Sequence, residues 1–414
     1  MNTEKKILVI AYDLPPLLQP QAIQIGRLLY HMPPEYKMYV VTSNDMRSKR
    51  DNDFYNDIDK KFSEKISITH NLFWAGAGIL FRKLPDKYVL WQARALIKII
   101  RKWRDEDFDC ILTFACPLSS SIIGLWLKKY FKTKWVAFFS DPWADNPHFN
   151  YHGIIKKINS SLEKKVFKTA DNLVFASPEM QHAYVNKYSF INNKSTFIEH
   201  SYDPFIYKDH KKKRNGKLIL RYIGTFYGQR TAQPLLSAIK IILDRKLLNS
   251  DDISFEIIGE VARTYKKQYE SLLQHFKLHD VIKLNKPVTY LESLSLMQQS
   301  DALVLIDAQI DGSVFLPSKL IDYIGADRPI IGITPKNGAS ARVIKKVGGW
   351  LADPSSIEDI ENTLQEVFTH YKQGTLEQFK PSASAKKDYL IDNNIQKVLA
   401  ILQKSNNTAY GHNE

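Results

Sequence analysis

The chain has 414 residues, too many for one ordinary core, and its 44% apolar and 25% charged content exclude a disordered or low-complexity chain. Its formal charge of +14 favours polyanionic partners: nucleic acid, anionic lipid or phosphorylated small molecules. The densest basic cluster, His210 to Arg214, is too short for a nucleic-acid arm and reads as linker, so no nucleic-acid partner is expected. Two cysteines, Cys110 and Cys116, exclude a secreted disulfide scaffold, and neither zinc-finger nor zincin spacing occurs.

The first predicted element, Lys6 to Tyr12, is a short continuous apolar run and reads as a buried parallel strand. It is too short for a signal peptide or a transmembrane helix, so the expectation is a cytoplasmic protein. A Pro-rich loop, Asp13 to Pro20, leads to a helix over 22–31 and a strand over 39–42. The segment Phe81 to Arg104 is basic, aromatic and helical in pattern. It reads either as an ordinary amphipathic helix or as a face for peripheral contact with an anionic membrane. Strands over 110–115, 134–139 and 172–176 then alternate with helices over 119–130, 153–169 and 178–188. Such alternation means a parallel, doubly wound sheet.

Asp203-Pro204, the basic cluster and Asn215-Gly216 interrupt the rhythm. The alternation restarts with strands over 217–223, 253–258, 280–284, 302–306 and 329–333. They are separated by helices over 232–246, 262–277, 289–299 and 318–326. Helices over 338–346 and 356–371 follow, and a last one over 385–404 is expected to cross back to the first domain. This gives an N-terminal Rossmann-like domain over 1–205, completed by the helix over 385–404, and a C-terminal one over 206–384. In such sheets ligands bind outside the carboxyl ends of the strands.

Three constellations lie at those ends. In Tyr222-Ile-Gly-Thr-Phe-Tyr-Gly-Gln-Arg230, Gly224 and Gly228 permit a tight turn before a helix. The helix N-terminus suits a phosphate, and Arg230 adds a cation for a diphosphate. In the stretch from Asp311 to Ile331, Pro317 suits a helix first turn and places Ser318 and Lys319 at its N-terminus. A lysine there opposes the helix dipole, which makes sense if the site receives an anion. Asp322 shares their face and can accept hydrogen bonds from ribose hydroxyls. The third is Asp141-Pro-Trp-Ala-Asp-Asn-Pro-His148, where Asp141 ends a buried strand and can orient an acceptor hydroxyl. Asp145 reads equally well as a turn or capping residue.

The string Leu316-Pro-Ser-Lys-Leu-Ile-Asp-Tyr-Ile-Gly-Ala-Asp-Arg-Pro-Ile-Ile331 resembles the donor motif of family 4 retaining glycosyltransferases, in the Pro-Ser-Lys form of bacterial polysaccharide and lipopolysaccharide enzymes. Lys134-Trp-Val-Ala-Phe-Phe-Ser-Asp-Pro-Trp143 resembles that group's Trp-Val-Ala-Asp-Phe-Arg-Asp-Pro-Trp segment. Ser177-Pro178, Gly224 to Gly228, Ile258-Gly259-Glu260, Pro287 to Tyr290 and Ser300-Asp301 follow in the same order. The likeness spans about residues 6–370.

The resemblance implies a GT-B fold, with two Rossmann-like domains facing a central cleft. It implies transfer of a sugar from a nucleotide-sugar donor to a saccharide or lipid-linked saccharide, with retention and without a metal or other cofactor. By position, Gly224 and Thr225 would line the donor phosphates, with Arg230 and Lys319 supplying charge. Gly259 and Val288 would contact the base. Phe315, Leu316, Pro317 and Ser318 would face sugar and phosphates, and Asp322 the ribose. Asp13, Gln19, Gln21 and Trp143 are the acceptor-side candidates, and Asp141, Arg230 and Lys319 the catalytic ones. This chain departs from the pattern at Val314, where many members carry a first glutamate. It departs also at Asp322, which replaces a second, and at Leu17 to Gln21, which lacks glycine. A non-catalytic nucleotide-sugar-binding subunit and a nucleotide-sugar 2-epimerase are the alternatives.

Overall fold

The computed structural model describes residues 4–45, 50, 51, 53–70, 85–149, 151–208, 216–226, 230–260 and 263–404. Gly228, the cluster 210–214 and residues 81–84 of the basic segment lie outside the described residues. The chain divides into two compact units, Met1–His200 with Ile391–Glu414, and Ser201–Leu390.

In unit 1, β1 (Lys5–Ile10), β2 (Tyr36–Asp45), β3 (Phe62–His70), β4 (Cys110–Ala115), β5 (Lys134–Phe139), β6 (Asn172–Phe175) and β7 (Ser195–Phe197) form one parallel sheet. Its order is β3-β2-β1-β4-β5-β6-β7. The crossovers use α1 (Pro20–Tyr30), α2 (Val89–Trp103), α3 (Ser119–Phe131), α4 (Gly153–Thr169) and α5 (Pro178–Lys187). Strands covered on both faces must be apolar throughout, and Ile7, Leu8, Val9 and Ile10 are almost wholly buried. Helix α2 shows the complementary pattern, burying Trp91, Ala95, Ile99 and Trp103 at four-residue spacing. Strand β3 was not expected. It is an edge strand in which Ile66 and Ile68 point inward between exposed neighbours, a weak signal among Ser, Glu and Lys.

Unit 2 repeats the plan with β8 (Leu218–Ile223), β9 (Ile253–Ile258), β10 (Ile282–Asn285), β11 (Ala302–Ile306), β12 (Ile330–Ile333) and β13 (Trp350–Ala352). The order is β10-β9-β8-β11-β12-β13. Its helices are α6 (Gln233–Asp244), α7 (Arg263–Phe276), α8 (Tyr290–Gln298), α9 (Ser318–Gly325), α10 (Ala339–Val347), α11 (Ile357–Lys372) and the short α12 (Ala383–Lys387). Leu220, Phe255, Val304 and Leu236 pack at its centre with no exposed surface. Each such side chain stabilises the fold by about 1.5–3 kcal/mol of removed apolar surface.

The last described helix, α13 (Ile391–Gln403), belongs to unit 1, and it buries Ile391, Ile395 and Val398. Lys134 of β5 donates to the carbonyls of Ile401 and Lys404 at 2.5 and 2.6 Å, closing the helix's carboxyl end. Asn394 reaches the carbonyl of Glu199 at 2.6 Å. The unit boundaries differ from those read at 205/206 and 384/385. Tyr202 pairs with Leu390 in a parallel bridge, and its N–H bonds the Tyr389 carbonyl at 2.8 Å, so the two ends of unit 2 are joined to each other. Asp203-Pro204 caps a short turn there, with Asp203 accepting from the Phe205 N–H at 2.9 Å.

Both sheets share one property that matters for function. Chain order reverses between β1 and β4 in unit 1, and between β8 and β11 in unit 2. Loops leaving the carboxyl ends of those strands diverge and leave a crevice.

Candidate functional site

At the unit 2 switch point, β8 ends in Ile223 and the chain turns at Gly224, whose φ is +143°; Gly259 after β9 has φ +148°. L-residues with side chains rarely adopt such angles. Space forbids them too. A β-carbon on Gly259 would strike the Gly224 carbonyl, and one on Gly224 would strike the ammonium of Lys319. The Gly224 N–H bonds the Ile258 carbonyl at 2.8 Å, so the turns after β8 and β9 are held together.

Lys319 comes from the first turn of α9. Pro317 sits just ahead of that helix as its capping residue, one place earlier than expected. Tyr323, one turn on, accepts from the Ile223 N–H at 3.0 Å and donates to the Val304 carbonyl at 3.3 Å. This pins the second turn of α9 against β8 and β11. The Lys319 side chain folds back over β8, where Nζ lies 4.0 Å from the ring centre of Tyr222 and donates to its hydroxyl at 2.8 Å.

Arg230 and Asp307 complete the cluster. Asp307 follows β11 and accepts from the Thr334 hydroxyl at 3.0 Å. Its other oxygen lies 4.0 Å from the Arg230 guanidinium, both side chains being largely buried. Dehydration holds the Lys319 ammonium well below its ordinary pKa; the nearby Arg230 lowers it further, against the pull of Asp307. Two cations and one carboxylate in a crevice form an arrangement that an arriving diphosphate would relieve.

Around this centre the other predicted residues take different places. Thr225 is exposed beside the Gly224 turn. The loop 311–317 is laid against the start of α10, where the Ala339 N–H bonds the Ser313 carbonyl at 2.8 Å. Phe315, Pro317 and Ser318 are half-buried, whereas Leu316 is a core side chain and can offer only its backbone. Asp322 is nearly buried, and one carboxylate oxygen accepts from the Tyr290 hydroxyl at 2.8 Å. Val288, two residues before Tyr290, is half-buried. Helix α6 starts only at Gln233, so Thr225, Phe226 and Arg230 are loop residues rather than a helix N-terminus directly after the turn.

In unit 1 the carboxyl ends of β1, β4 and β5 carry Asp13, Cys116 and Asp141. The Cys116 thiol lies 3.9 Å from Asp141 Oδ2. Burial pushes its pKa up, and the charges of Asp141, Asp13 and Asp86 push it further. Gln21, in the first turn of α1, donates to the Ser140 hydroxyl at 2.8 Å and links α1 to the loop bearing Asp141. Gln19 is exposed just ahead of α1.

Trp143 requires a correction. It has no exposed surface: its indole N–H bonds Asn159 at 2.9 Å and its backbone N–H bonds the Tyr184 hydroxyl at 2.8 Å. It anchors the loop rather than facing an acceptor. Beneath it lies the wholly buried Glu163 of α4. Its carboxylate accepts from the Ala144 N–H at 2.9 Å and from the Tyr184 and Tyr188 hydroxyls at 3.0 Å, and pairs with Lys187. Asp145 is a surface partner of Lys156 and Lys187.

No family model matches this chain. A 258-residue stretch is 23% identical to a probable glycosyltransferase, WbjE, of Pseudomonas aeruginosa, covering 56% of this chain and 60% of that protein. The matched stretch thus spans about three-fifths of the curated relative's length. Among solved structures, HepE of Anabaena in complex with UDP and glucose superposes with a TM-score of 0.68 at 12% identity, over 96% of this chain and 99% of that one. Sucrose-phosphate synthase of Thermosynechococcus elongatus gives 0.69 at 14% identity, over 96% and 98%.

The fold is GT-B.

Within the GT-B architecture, sequence reasoning found Gly224, Arg230, Gly259 and Lys319, which the structure gathers in unit 2. It missed Tyr222 as the partner of Lys319, Asp307, Tyr290 and Glu163. Asp307 was within reach, since it is the first polar residue after the apolar run Ala302 to Ile306. Tyr222 and Tyr290 stand inside the sequence motifs without a role there, and Glu163 carries no signal, because only tertiary contacts define what these side chains do.

Proposed function

We propose that this protein is a retaining, metal-independent glycosyltransferase that moves a sugar from a nucleoside-diphosphate sugar to a saccharide or lipid-linked saccharide in cell-surface polysaccharide synthesis. The observation that carries this reading is the meeting of Lys319 and Arg230 at the unit 2 switch point, beside two glycine turns that let the Lys319 ammonium lie close against the backbone. As the bond to the diphosphate breaks, negative charge grows on the departing oxygens. Fixed cations in a dry crevice stabilise that charge more than water does. These two side chains supply the electrostatic role that a divalent ion fills elsewhere. UDP and glucose in the similarly folded HepE agree with such a donor. Asp141 would orient the acceptor hydroxyl, and retention would follow a front-face displacement.

The proposed setting is the cytoplasmic face of a membrane. Among the described residues, no helix is long and apolar enough to cross one. Helices α2, α3 and α4 pack side by side. They expose Ile97, Trp126, Tyr130 and Ile154, and among them Lys98, Arg101, Lys129 and Lys157. Such a face suits anionic headgroups.

The test is a thermal-shift screen of nucleotide sugars followed by a transfer assay with and without excess chelator. A donor that raises stability and is turned over in chelator supports the reading. Binding without turnover would identify a nucleotide-sugar-binding subunit, and transfer that returns only with added divalent ion would overturn metal independence.

A further inference from the structure

Tyr222 has an unusual set of tasks for a strand residue. Its ring stacks on Phe226 with centroids 4.2 Å apart, and its hydroxyl donates to the Thr225 carbonyl at 3.2 Å, so it braces the turn just beyond it. The same hydroxyl accepts from Lys319, and the same ring lies beneath that ammonium. Tyr222 itself is wholly buried. One side chain therefore fixes both the backbone of the Gly224 turn and the cation that fills the space beside Gly224.

We propose that Tyr222 is a positioning residue, holding the Lys319 ammonium folded over the Gly224 turn so that a donor diphosphate meets a cation already in place. This rests on the donor reading above. Holding an ammonium where packing strips much of its water requires compensation. The charged groups facing it are Arg230, from the loop after β8, which opposes it, and Asp307, from the end of β11, which favours it. The phenol oxygen and the ring face add the remaining favourable contacts, as an acceptor and as a π-surface. Without the hydroxyl the ammonium loses an acceptor and gives up its proton at lower pH. A diphosphate favours the charged form. Donor affinity should therefore fall as pH rises through the point where Lys319 deprotonates, and that fall should come earlier when the hydroxyl is gone.

The experiment measures binding of ADP, GDP, TDP, CDP and UDP by calorimetry between pH 6 and 10, in the parent and in Tyr222→Phe. In the variant, the expected alkaline fall for the preferred nucleotide begins at least about half a pH unit lower. At pH 6.5 the two proteins should agree within about threefold. Tyr222→Leu, which also removes the ring, should shift the fall further. A purely structural tyrosine would lower stability and leave the shape of the pH curve alone. Superimposable curves for parent and Tyr222→Phe overturn this inference while leaving the donor reading intact. A parent that binds none of the five nucleotides overturns both.

Discussion

The carboxylate of Glu163 holds the backbone N–H of Ala144 at 2.9 Å, and so fixes the loop that begins at Asp141 from beneath. Glu163 has no exposure, and its partners come from α5, from Tyr188 just beyond it and from the loop itself. Replacing it with glutamine removes the charge that Lys187 needs and turns an amide donor toward groups that are themselves donors. Glu163→Gln is expected to destabilise unit 1 by about 2 kcal/mol or more, read as a shifted denaturant midpoint. Donor affinity should not change, since no donor-site candidate lies in that loop.

Lys319→Ala and Arg230→Ala should each cut turnover at least about tenfold, or roughly 1.4 kcal/mol of transition-state stabilisation. Steady-state kinetics with the preferred donor decide this. Parental rates in both variants would remove the diphosphate site from unit 2.

The buried bond from Tyr290 to Asp322 makes two variants informative together. Asp322→Asn should weaken nucleotide binding if the carboxylate holds the ribose. Tyr290→Phe leaves that carboxylate short of a donor and should cost about 1–3 kcal/mol of stability. Calorimetry and thermal unfolding, run on both, separate binding from folding. Unchanged nucleotide affinity in Asp322→Asn would end the ribose assignment.

Asp141→Asn should lower transfer strongly and leave nucleotide affinity within about twofold, under 0.5 kcal/mol. Asp141 ends a strand of unit 1, whereas every donor candidate belongs to unit 2. A collapse of donor binding in this variant would place Asp141 on the donor side.

The two thiols give unit 1 a pH signature. Burial lifts Cys110 to about 12, and burial with the neighbouring Asp141, Asp13 and Asp86 lifts Cys116 well above its usual value. In the folded state both keep protons that the unfolded chain releases from about pH 8.5. Their contribution is therefore intact below that pH. It is lost as the pH climbs toward the raised values, at up to roughly 1.4 kcal/mol per pH unit for each thiol. Denaturation curves from pH 7.5 to 10 should show a steeper loss in the parent than in Cys110→Ala/Cys116→Ala. Parallel slopes would show that these thiols titrate normally.

Much of this molecule was legible in its sequence, because parallel strands buried on both faces must be apolar runs. Strands such as β4, β5, β9 and β11 therefore appear with their observed ends. Strand β3 escaped because an edge strand is only half covered, so Ile66 and Ile68 stand among polar residues. Strand β13 escaped because it has only three residues. The glycines of the candidate donor cluster were legible because each directly follows a strand end, and its cations because they lie in the loop after β8 and the first turn of α9. The braces were not. Trp143 looked like a cleft residue because it follows a strand and a proline, and only the packing of α4 shows that it is buried. Tyr222 opened a sequence motif but had no role in it, because its hydroxyl's partner Lys319 lies 97 positions away.

The bond from Lys134 to the end of α13 carries a consequence for how this protein is made. Unit 1 consists of two stretches with all of unit 2 between them, and α13 supplies the carbonyls that Lys134 requires. On the ribosome, residues 201–390 emerge as one uninterrupted stretch, so unit 2 can fold while unit 1 still lacks a wall. Until α13 arrives, nascent unit 1 presents a bare apolar face, and Lys134 is solvated by water instead of by the carbonyls of Ile401 and Lys404. Joining residues 391–404 ahead of residue 4 through a flexible linker would let unit 1 close early in synthesis.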